Sequence, residues 1–421
     1  MADELGCRGE APAPGGSPDG ADPKRRPAPS PLAQLALIAT VQILAMATWF
    51  SASAVVPALR TSWGISDAQA IWLTGSVQLG FVGGAIASAA LNLPDRFPPQ
   101  RVMACSAVGA GLATAALPFL AESFAAVIVL RLATGLFLAG VYPVGMALMA
   151  SWFAPAHRGL AIGVLIGALT LGSALPHLLT GLEELPWQGV LLSASALAAV
   201  AAALAFLCVR RGPQLGGRGG THRPRYALEM FRERGPRLAN LGYFGHMWEL
   251  YALWTWLPAF LLAAHPSAPI GLISFLTIGG AGVIGCLLGG WASGRFGRAR
   301  AAGLAMIVSG ACCLASPLVF VAPWPLALIM LAVWGAAVIA DSGVFSTALS
   351  EVVDHRYTGT ALTAQTAIGF LLTLVTINLV PVLARLLGWQ FAFIVLALGP
   401  LLGAVAMRSF GRLVRGTPSP R

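Results

Sequence analysis

The stretch Asp95-Arg96-Phe97-Pro98-Pro99-Gln100-Arg101 separates two long apolar runs, and the related stretch Gly294-Arg295-Phe296-Gly297-Arg298-Ala299-Arg300 does the same in the second half of the chain. The two copies align without gaps as far as Pro118 and Pro317, an offset of 317 − 118 = 199 residues. Later matches, at offsets of 200 and 202, are Gly159 with Gly359 and Trp187 with Trp389. A nearly constant offset indicates two copies of one structural unit.

The sequence around these stretches is strongly apolar. Of its 421 residues 57% are hydrophobic and 10% are charged, and the mean hydropathy is +0.78. Ordinary soluble domains carry about 25% charged residues. The roughly 240 apolar residues would supply about twelve bilayer-spanning helices, since each needs about 20. This composition excludes a soluble globular protein and indicates a polytopic membrane protein.

Pro, Gly and charged residues divide the apolar runs into twelve predicted membrane spans, numbered 1 to 12 in chain order. They lie at 32–56, 68–91, 102–120, 124–150, 159–180, 188–209, 238–263, 270–292, 301–321, 326–349, 358–383 and 389–409. A polar interval with eight arginines, 210–237, separates six spans from six. We therefore predict an all-α integral membrane protein with twelve transmembrane helices in two six-helix bundles, 32–209 and 238–410.

The remaining segments are expected to lie outside the membrane. Residues 1–31, rich in Ala, Pro and Gly, predict a disordered cytoplasmic tail. A signal peptide is the alternative, but the apolar run after this tail is longer than the 7–15 residues typical of one. We expect 210–237 to form a basic cytoplasmic linker and 411–421 a second cytoplasmic tail.

Lys and Arg predict the orientation, because short cytoplasmic loops accumulate them. With the N-terminus inside, 23 of the 26 basic residues fall in cytoplasmic segments. Arg60 and Arg385 fall outside, and Arg131 lies within a span. We expect both termini in the cytoplasm and the chain in the cell (inner) membrane. The formal charge of +10 then reflects topology, and no nucleic-acid partner is expected.

The two repeated loops resemble the signature loop of the major facilitator superfamily, whose pattern is roughly Gly-x-x-x-Asp-Arg-x-Gly-Arg. The first copy keeps Asp95-Arg96, but has Leu91 in place of the glycine and Pro98-Pro99 in place of Gly-Arg. The second keeps Gly290 and Gly297-Arg298, but has Gly294 in place of the acid. Span 4 is similar to that family's fourth helix, with Arg131 followed by Gly135, Gly140 and Pro143.

This resemblance covers about 32–410 and implies a substrate cavity between two bundles that rock to give alternating access. In such a family, loop residues latch the cytoplasmic ends of the helices, so a cytoplasmic gate is expected at Asp95, Arg96, Arg295 and Arg298. Positive-inside anchoring accounts equally well for the arginines, but not for Asp95.

Three ionisable residues, Arg131, Glu249 and Asp341, are predicted deep in spans, where each needs a partner or a wet cavity. Arg131 is a candidate to bind an anionic substrate or to hold a carboxylate, because its planar fork suits carboxylates. The alternative is a structural arginine satisfied by neighbouring carbonyl groups. Asp341 precedes small residues, so a structural hydrogen bond and a role in transport both remain open.

Glu249 is a candidate proton carrier, since a buried carboxylate can change charge as a cavity opens. His246 and Trp256 are three residues before it and seven after it, on one helical face. Interhelical hydrogen bonding with aromatic packing is the alternative. In span 1, Gln42 and Trp49 share a face that lines the cavity in the resembled family, or else forms a polar packing contact. His177 and Gln365 are weaker candidates.

The motifs exclude several other classes of protein. The six cysteines form no CxxC pair and the histidines do not cluster, so neither a metal nor a cofactor is expected. The sequence has no GxxxxGK[ST] loop and no catalytic motif, so it indicates neither an ATP-driven pump nor an enzyme. A receptor or sensor would need an output domain, and 210–237 is too short for one.

The sequence therefore favours a secondary active transporter for a small solute, with protons coupled through Glu249 or Asp341. Arg131 favours symport of an organic anion. The alternative is an efflux antiporter for amphipathic compounds, which the aromatic residues of span 7 favour. The expected partners are a small-molecule substrate, protons and the lipid bilayer, and the chain is expected to be a monomer.

Overall fold

The computed structural model describes residues 30–91, 93–120, 123–153, 158–181, 185–213 and 225–416, and within these ranges all regular secondary structure is helical. Ten helices are long and apolar enough to cross a membrane, and the shorter apolar helix Pro31–Met46 precedes them. Together with the 31-residue helix Arg234–Ala264, they correspond in order to the twelve predicted spans. The predicted N-terminal tail lies outside the described residues, apart from its last two positions.

The N-terminal half, 30–213, contains spans 1 to 6. Its helices are Pro31–Met46, Ser51–Ala54 and Val56–Trp63 (span 1), Asp67–Ala90 (span 2), Leu93–Arg96, Pro99–Ala115 with Leu117–Phe119 (span 3), Phe124–Leu138 with Tyr142–Trp152 (span 4), Arg158–Gly181 (span 5) and Trp187–Leu207 (span 6).

The C-terminal half, 225–416, contains spans 7 to 12. Its helices are Tyr226–Glu229, Met230–Arg232, Arg234–Ala264 (span 7), Ile270–Phe275, Leu276–Ala281 and Gly282–Phe296 (span 8), Arg298–Ala315 with Ser316–Phe320 (span 9), Trp324–Ala340 with Ser342–Val352 (span 10), His355–Tyr357, Thr358–Leu387 (span 11), and Trp389–Ala392, Ile394–Ala397 and Leu398–Gly416 (span 12).

Short polar turns begin and end these helices. Ser66 accepts a hydrogen bond from Gln69 N, and the Gln69 side chain accepts one from Ser66 N, a capping box that starts span 2. Ser30 and Ser123 cap spans 1 and 4 through their hydroxyl oxygens. Gly64, at φ 62°, ends span 1 in a left-handed conformation that suits glycine. Local sequence therefore fixes where the helices turn.

Glycine brings the same pair of helices together in each half. Span 4 lies against span 2 at Gly135, where a Cβ atom would overlap the carbonyl oxygen of Val77. Span 10 lies against span 8 at Gly335, 335 − 135 = 200 residues later, where a Cβ atom would overlap the carbonyl oxygen of Thr277. Small residues allow membrane helices to approach this closely. The repeat in the sequence is thus also a repeat in helix packing.

Three spans are interrupted near their middle. Span 1 changes to turns over 47–50, span 4 over 139–141 and span 10 at Asp341. The last two breaks match in the repeat, because 341 − 141 = 200. Breaks of this kind expose main-chain groups that need a partner inside the protein.

The two halves contact each other along two pairs of helices. Span 5 lies beside span 8 from Gly159 and Gly290 at one end to Gly181 and Gly271 at the other. Span 2 meets span 11, where the Thr373 hydroxyl donates to Gln78 Oε1. Since these contacts run towards both faces, the halves are closed against each other in this structure.

Candidate translocation site

The break in span 1 is held by Arg131 of span 4. Its Nε donates to Leu73 O and its Nη1 to Thr48 O, both at 3.0 Å, and its Nη2 donates to Trp49 O. The side chain is fully buried. The two carbonyl groups of span 1 lie at its turn, and the guanidinium donates to both. This is the arrangement expected of a structural arginine, and among the described residues no carboxylate is bonded to it.

The same break directs the Trp49 ring into the contact between the halves. The ring lies 5.1 Å from Phe81 of span 2, 5.8 Å from Tyr251 of span 7 and 5.6 Å from Phe370 of span 11, measured between centroids. Phe50 and Trp254 extend this group, since Phe50 contacts both Tyr251 and Trp254. We call these six residues the central aromatic cluster. The cluster therefore joins spans 1 and 2 of one half to spans 7 and 11 of the other.

Several buried amide and indole groups in the same helices have no hydrogen-bond partner among the described residues. They are Trp49 Nε1, Gln78 Nε2, and the side-chain nitrogen and oxygen atoms of Gln42 and Gln365. Gln42 lies beside Gly145 of span 4. Unpaired buried polar groups carry a free-energy cost, so a site with several of them is suited to receive a polar ligand or water.

His246 of span 7 bonds to span 10 at the break of that span. Its Nδ1 lies 2.8 Å from Asp341 Oδ1, and its Nε2 lies 2.8 Å from Ser342 Oγ. The Asp341 contact is an ion pair by distance, but Oδ1 has no well-aligned hydrogen-bond donor among the described residues. Gly343 lies against Ile166 of span 5, so the break adjoins the other half.

Ser342 fits either protonation state of this histidine. Its hydroxyl donates to Nε2 when that nitrogen is bare, and accepts from Nε2 when it carries a proton. The Ser342 contact is therefore compatible with either form of the imidazole. We call His246, Asp341 and Ser342 the span 7/10 triad.

Glu249 lies one turn further along span 7 and has different partners. Its Oε1 accepts hydrogen bonds from Ser309 Oγ at 2.6 Å, Cys313 Sγ at 3.1 Å and Trp334 Nε1 at 2.6 Å. These donors come from spans 9 and 10, within the C-terminal half. Three donors on one oxygen join three helices, which is the interhelical bonding named above as the alternative to a proton carrier.

His246, Glu249 and Trp256, which helical spacing places on one face of span 7, thus bond to different partners in the structure. His246 pairs with Asp341 rather than with Glu249, and Trp256 donates from Nε1 to Ile377 O of span 11 at 2.8 Å. His177 is buried in span 5, and its Nε2 has no partner among the described residues.

The residues expected to form a cytoplasmic gate lie at the face that carries both ends of the described chain. Arg96 and Arg295 are exposed, whereas Arg298 forms an ion pair with Glu351. Arg298 begins span 9 and Glu351 ends span 10, so this pair lies within one half. The side chain of Asp95 is outside the described residues.

Several residues of this site were not singled out from the sequence. Gln78, Tyr251, Phe370 and Thr373 all lie at the contact between the halves. Gln78 had a usable signal, since an amide in the middle of an apolar span calls for a partner. Phe370 had none, because phenylalanine is equally suited to face lipid.

A twofold-repeated set of apolar helices, with polar groups buried where the halves meet, defines a membrane transport protein. A family model described as Major Facilitator Superfamily matches residues 38–377, and the chain belongs to that family. The identification from the two loops and the repeat is therefore confirmed, as is the all-helical membrane fold. Membership of this family indicates a transporter, not an enzyme.

Two curated relatives are named as transporters. The chain is 29% identical over 225 residues to the "Probable 4-methylmuconolactone transporter" of Cupriavidus pinatubonensis (strain JMP 134 / LMG 1197), a match over 50% of each chain. It is 27% identical over 301 residues to the "Probable sulfoacetate transporter SauU" of Cupriavidus necator (strain ATCC 17699), over 64% of this chain and 67% of the relative. The chain thus spans half the length of the first relative.

Solved structures share the fold at low identity. A bacterial homologue of the human lysosomal transporter Spinster, inward-facing and unoccupied, superposes with a TM-score of 0.70 at 16% identity, covering 93% of this chain and 99% of that one. The human organic anion transporter MFSD10 superposes with a TM-score of 0.70 at 18% identity, covering 90% and 100%. These likenesses establish the fold alone.

Proposed function

We propose that this protein is a proton-coupled secondary transporter that moves a small organic anion between its two halves by alternating access. The proposal is supported above all by buried N–H donors on spans 1, 2 and 11, chiefly Trp49 Nε1 and Gln78 Nε2, that have no hydrogen-bond partner among the described residues. The names of the two relatives support an organic acid as the substrate, and the human structural neighbour is named for organic anions.

Neutral donors can bind an anion in this position because the surrounding protein excludes water. A hydrogen bond to an ionised acceptor is roughly twice as strong as one between neutral groups. In the closed state the Trp49 ring contacts Phe370, and Gln78 Oε1 accepts from the Thr373 hydroxyl, so both side chains are covered by the opposite half. A carboxylate or sulfonate would take up these donors when the halves part. Arg131 then supports the site through the main chain of span 1 instead of binding the substrate.

Proton coupling is assigned to the span 7/10 triad. With neutral His246 and ionised Asp341 the pair carries one negative charge, and one added proton makes it neutral. An arriving anion favours the neutral form, because two negative charges in a medium of low dielectric repel each other strongly. Each anion therefore brings one proton, which corresponds to symport. Glu249 is the second candidate, and the donors on its Oε1 support a structural role.

We also propose that both termini lie in the cytoplasm, that the protein resides in the cell inner membrane and that it acts as a monomer. Efflux of amphipathic compounds is the second candidate function. The central aromatic cluster favours it, because stacked rings offer apolar surface to such compounds.

The test uses purified protein in proteoliposomes with an acidic exterior. We expect accumulation of radiolabelled sulfoacetate, or of another member of a panel of small carboxylates, above the equilibrium level. Asp341→Asn should abolish this gradient-driven accumulation while counterflow exchange persists, since the carboxylate that carries the charge is removed. Glu249→Gln keeps an oxygen for the same donors and should retain accumulation.

The contrary outcomes are distinct. Loss of accumulation in Glu249→Gln alone would move the coupling to Glu249. If the unmodified protein accumulates the substrate equally with and without a pH gradient, proton coupling would be excluded. If no anion of the panel is accumulated and an amphipathic dye is extruded, the efflux function replaces this proposal.

A further inference from the structure

The exposed surface of spans 9 and 12 changes from apolar to basic towards the face that carries both ends of the described chain. Steps of three and four residues keep a row of side chains on one face of a helix. In span 12 such a row of exposed residues is Leu398, Leu401, Val405, Arg408, Arg412 and Arg415. In span 9 it is Arg300, Leu304, Ile307, Ala311 and Leu314. Each row joins a lipid-facing apolar strip to arginine at one end.

The two rows meet because spans 9 and 12 pack side by side in opposite directions. A Cβ atom added at Gly411 would lie 2.8 Å from the Cβ atom of Ala299, and one added at Gly403 would overlap the Met306 side chain. Arg300 follows Ala299 directly, so it lies level with the end of span 12. We call Arg300, Arg408, Arg412 and Arg415 the span 9/12 arginine group.

The basic end of span 12 is an addition to the unit that both halves share. At the offset of 202 residues, Leu207 at the end of span 6 corresponds to Ser409. The helix of span 12 continues to Gly416, 416 − 409 = 7 residues further or roughly 10 Å, and two of the arginines lie in this extension. Arg408 itself stands where span 6 has the exposed Phe206. The repeated fold therefore does not require these arginines.

The described acids of this face are matched by other basic residues. Glu351 and Asp354 form ion pairs with Arg298 and Arg356. The remaining two, together with the arginines near them at the start of span 7, are Glu229, Glu233, Arg232, Arg234 and Arg237. Residues 1–29, outside the described part, hold five acids and four basic residues, so their charges nearly cancel. Among the described residues no member of the span 9/12 arginine group has an ion pair.

We infer that this surface of spans 9 and 12 binds an anionic phospholipid. Its acyl chains would lie along the apolar rows, and its phosphate would lie among the arginines, whose planar forks bind phosphate through paired N–H donors. A ligand for this surface has to be amphipathic, because the apolar and basic parts are continuous. Basic sites between membrane helices attract anionic headgroups over zwitterionic ones. The inference does not depend on the proposed transport function.

The test measures lipid binding to the purified full chain in a neutral detergent by native mass spectrometry. Dioleoyl phosphatidylglycerol, which is anionic, and dioleoyl phosphatidylcholine, which is zwitterionic, are titrated separately, since they share their acyl chains. The variant combines Arg408→Gln with Arg412→Gln. The matched control combines Arg210→Gln with Arg211→Gln, two exposed arginines that follow the end of span 6. Both variants lose two positive charges next to corresponding spans.

We expect the Kd for phosphatidylglycerol to rise roughly tenfold in the 408/412 variant and to change less than about twofold in the 210/211 control. Phosphatidylcholine should bind the unmodified protein more weakly than phosphatidylglycerol does. Equal thermal midpoints without lipid would show that the variants fold. If the 408/412 variant has a lower midpoint, Arg300→Gln with Arg415→Gln takes its place with the same expectation.

Three results would overturn the inference. Unchanged binding of phosphatidylglycerol in the 408/412 variant would exclude this surface, and an equal loss in both variants would assign binding to general positive charge. Glycerol 1-phosphate carries the phosphate without acyl chains, so it should not displace phosphatidylglycerol at roughly tenfold excess. Displacement would make the site one for soluble phosphates. Because the assay involves no transport, these results leave the proposed function to its own test.

Discussion

Arg131 shows how a buried cation can be accommodated without an acid. Its N–H groups donate to three main-chain carbonyls, two of which lie where span 1 unwinds. The arginine and the break therefore depend on each other. Thr48 O also accepts from Ser51 Oγ, so removing the fork would take the arginine donor chiefly from Trp49 O, and a buried carbonyl that loses its donor costs free energy.

This geometry predicts the effect of Arg131→Lys. A lysine keeps the charge but has a single ammonium, which does not reproduce three donors at fixed angles. We expect the free energy of unfolding to fall by about 2–4 kcal/mol. The measurement is the thermal midpoint of the purified protein in detergent, with Arg408→Lys on exposed span 12 as the matched control. An unchanged midpoint together with weaker binding of the substrate would restore Arg131 as an anion ligand.

The sequence predicts how deep in the spans an ionisable residue lies, but not which residue it bonds to. Arg131, Glu249 and Asp341 are all buried, as their positions in the spans implied. Helical spacing grouped His246 with Glu249, yet His246 bonds to Asp341 and Glu249 bonds to Ser309 and Trp334. The partner of a buried polar group is set by which helices pack against it. One helix's periodicity carries no information about that choice.

At the scale of the element, the helices depend on close approach. Gly135 lets span 4 approach the carbonyl oxygens of span 2, and Gly335 lets span 10 approach those of span 8. Dispersion and packing hold membrane helices together, since lipid removes most of the hydrophobic driving force between them. Added volume at such a contact pushes the backbones apart.

Gly335→Ala tests this contact. The added methyl group would overlap Thr277 O, so we expect a destabilisation of about 1–3 kcal/mol. Gly303→Ala is the matched control, because a Cβ atom at Gly303 in span 9 has open space around it. Thermal midpoints of the two variants should differ, with Gly303→Ala at or above the unmodified protein. Equal midpoints would mean that spans 8 and 10 can shift apart at no cost.

Hydropathy located the spans well but not their interruptions. Span 10 was predicted at 326–349, and its helices are Trp324–Ala340 and Ser342–Val352, with the break between them. A single turn of changed backbone leaves the average hydropathy unaltered. The break matters for function, because it carries Asp341 and the contact with His246.

At the scale of the whole molecule, the repeat lets the sequence predict two halves, whereas their mutual closure is visible in the structure alone. The 199-residue offset derives from Pro118 and Pro317, which lie at the ends of corresponding spans. The contact between halves involves Thr170 of span 5 and Cys286 of span 8, residues that no spacing rule connects. Alternating access requires such contacts to break on one side at a time.

The contact between Thr170 and Cys286 allows movement of the halves to be tested. Thr170 Oγ1 lies 4.0 Å from Cys286 Sγ, and both residues are buried. A thiol introduced by Thr170→Cys would start near that distance, and small side-chain rotations can bring the sulfurs to the about 2.05 Å of a disulfide. We expect oxidation to cross-link the halves and block uptake in proteoliposomes, and reduction to restore it. Trypsin cleavage in the arginine-rich linker would leave the fragments joined on a non-reducing gel.

The matched control is Thr170→Cys combined with Cys286→Ser, which cannot form the bridge and should transport equally well before and after oxidation. The decisive case is a chain that is cross-linked on the gel yet still accumulates substrate. That result would mean that spans 5 and 8 stay together throughout the cycle. The halves would then have to open elsewhere, at spans 2 and 11, where Gln78 and Thr373 meet.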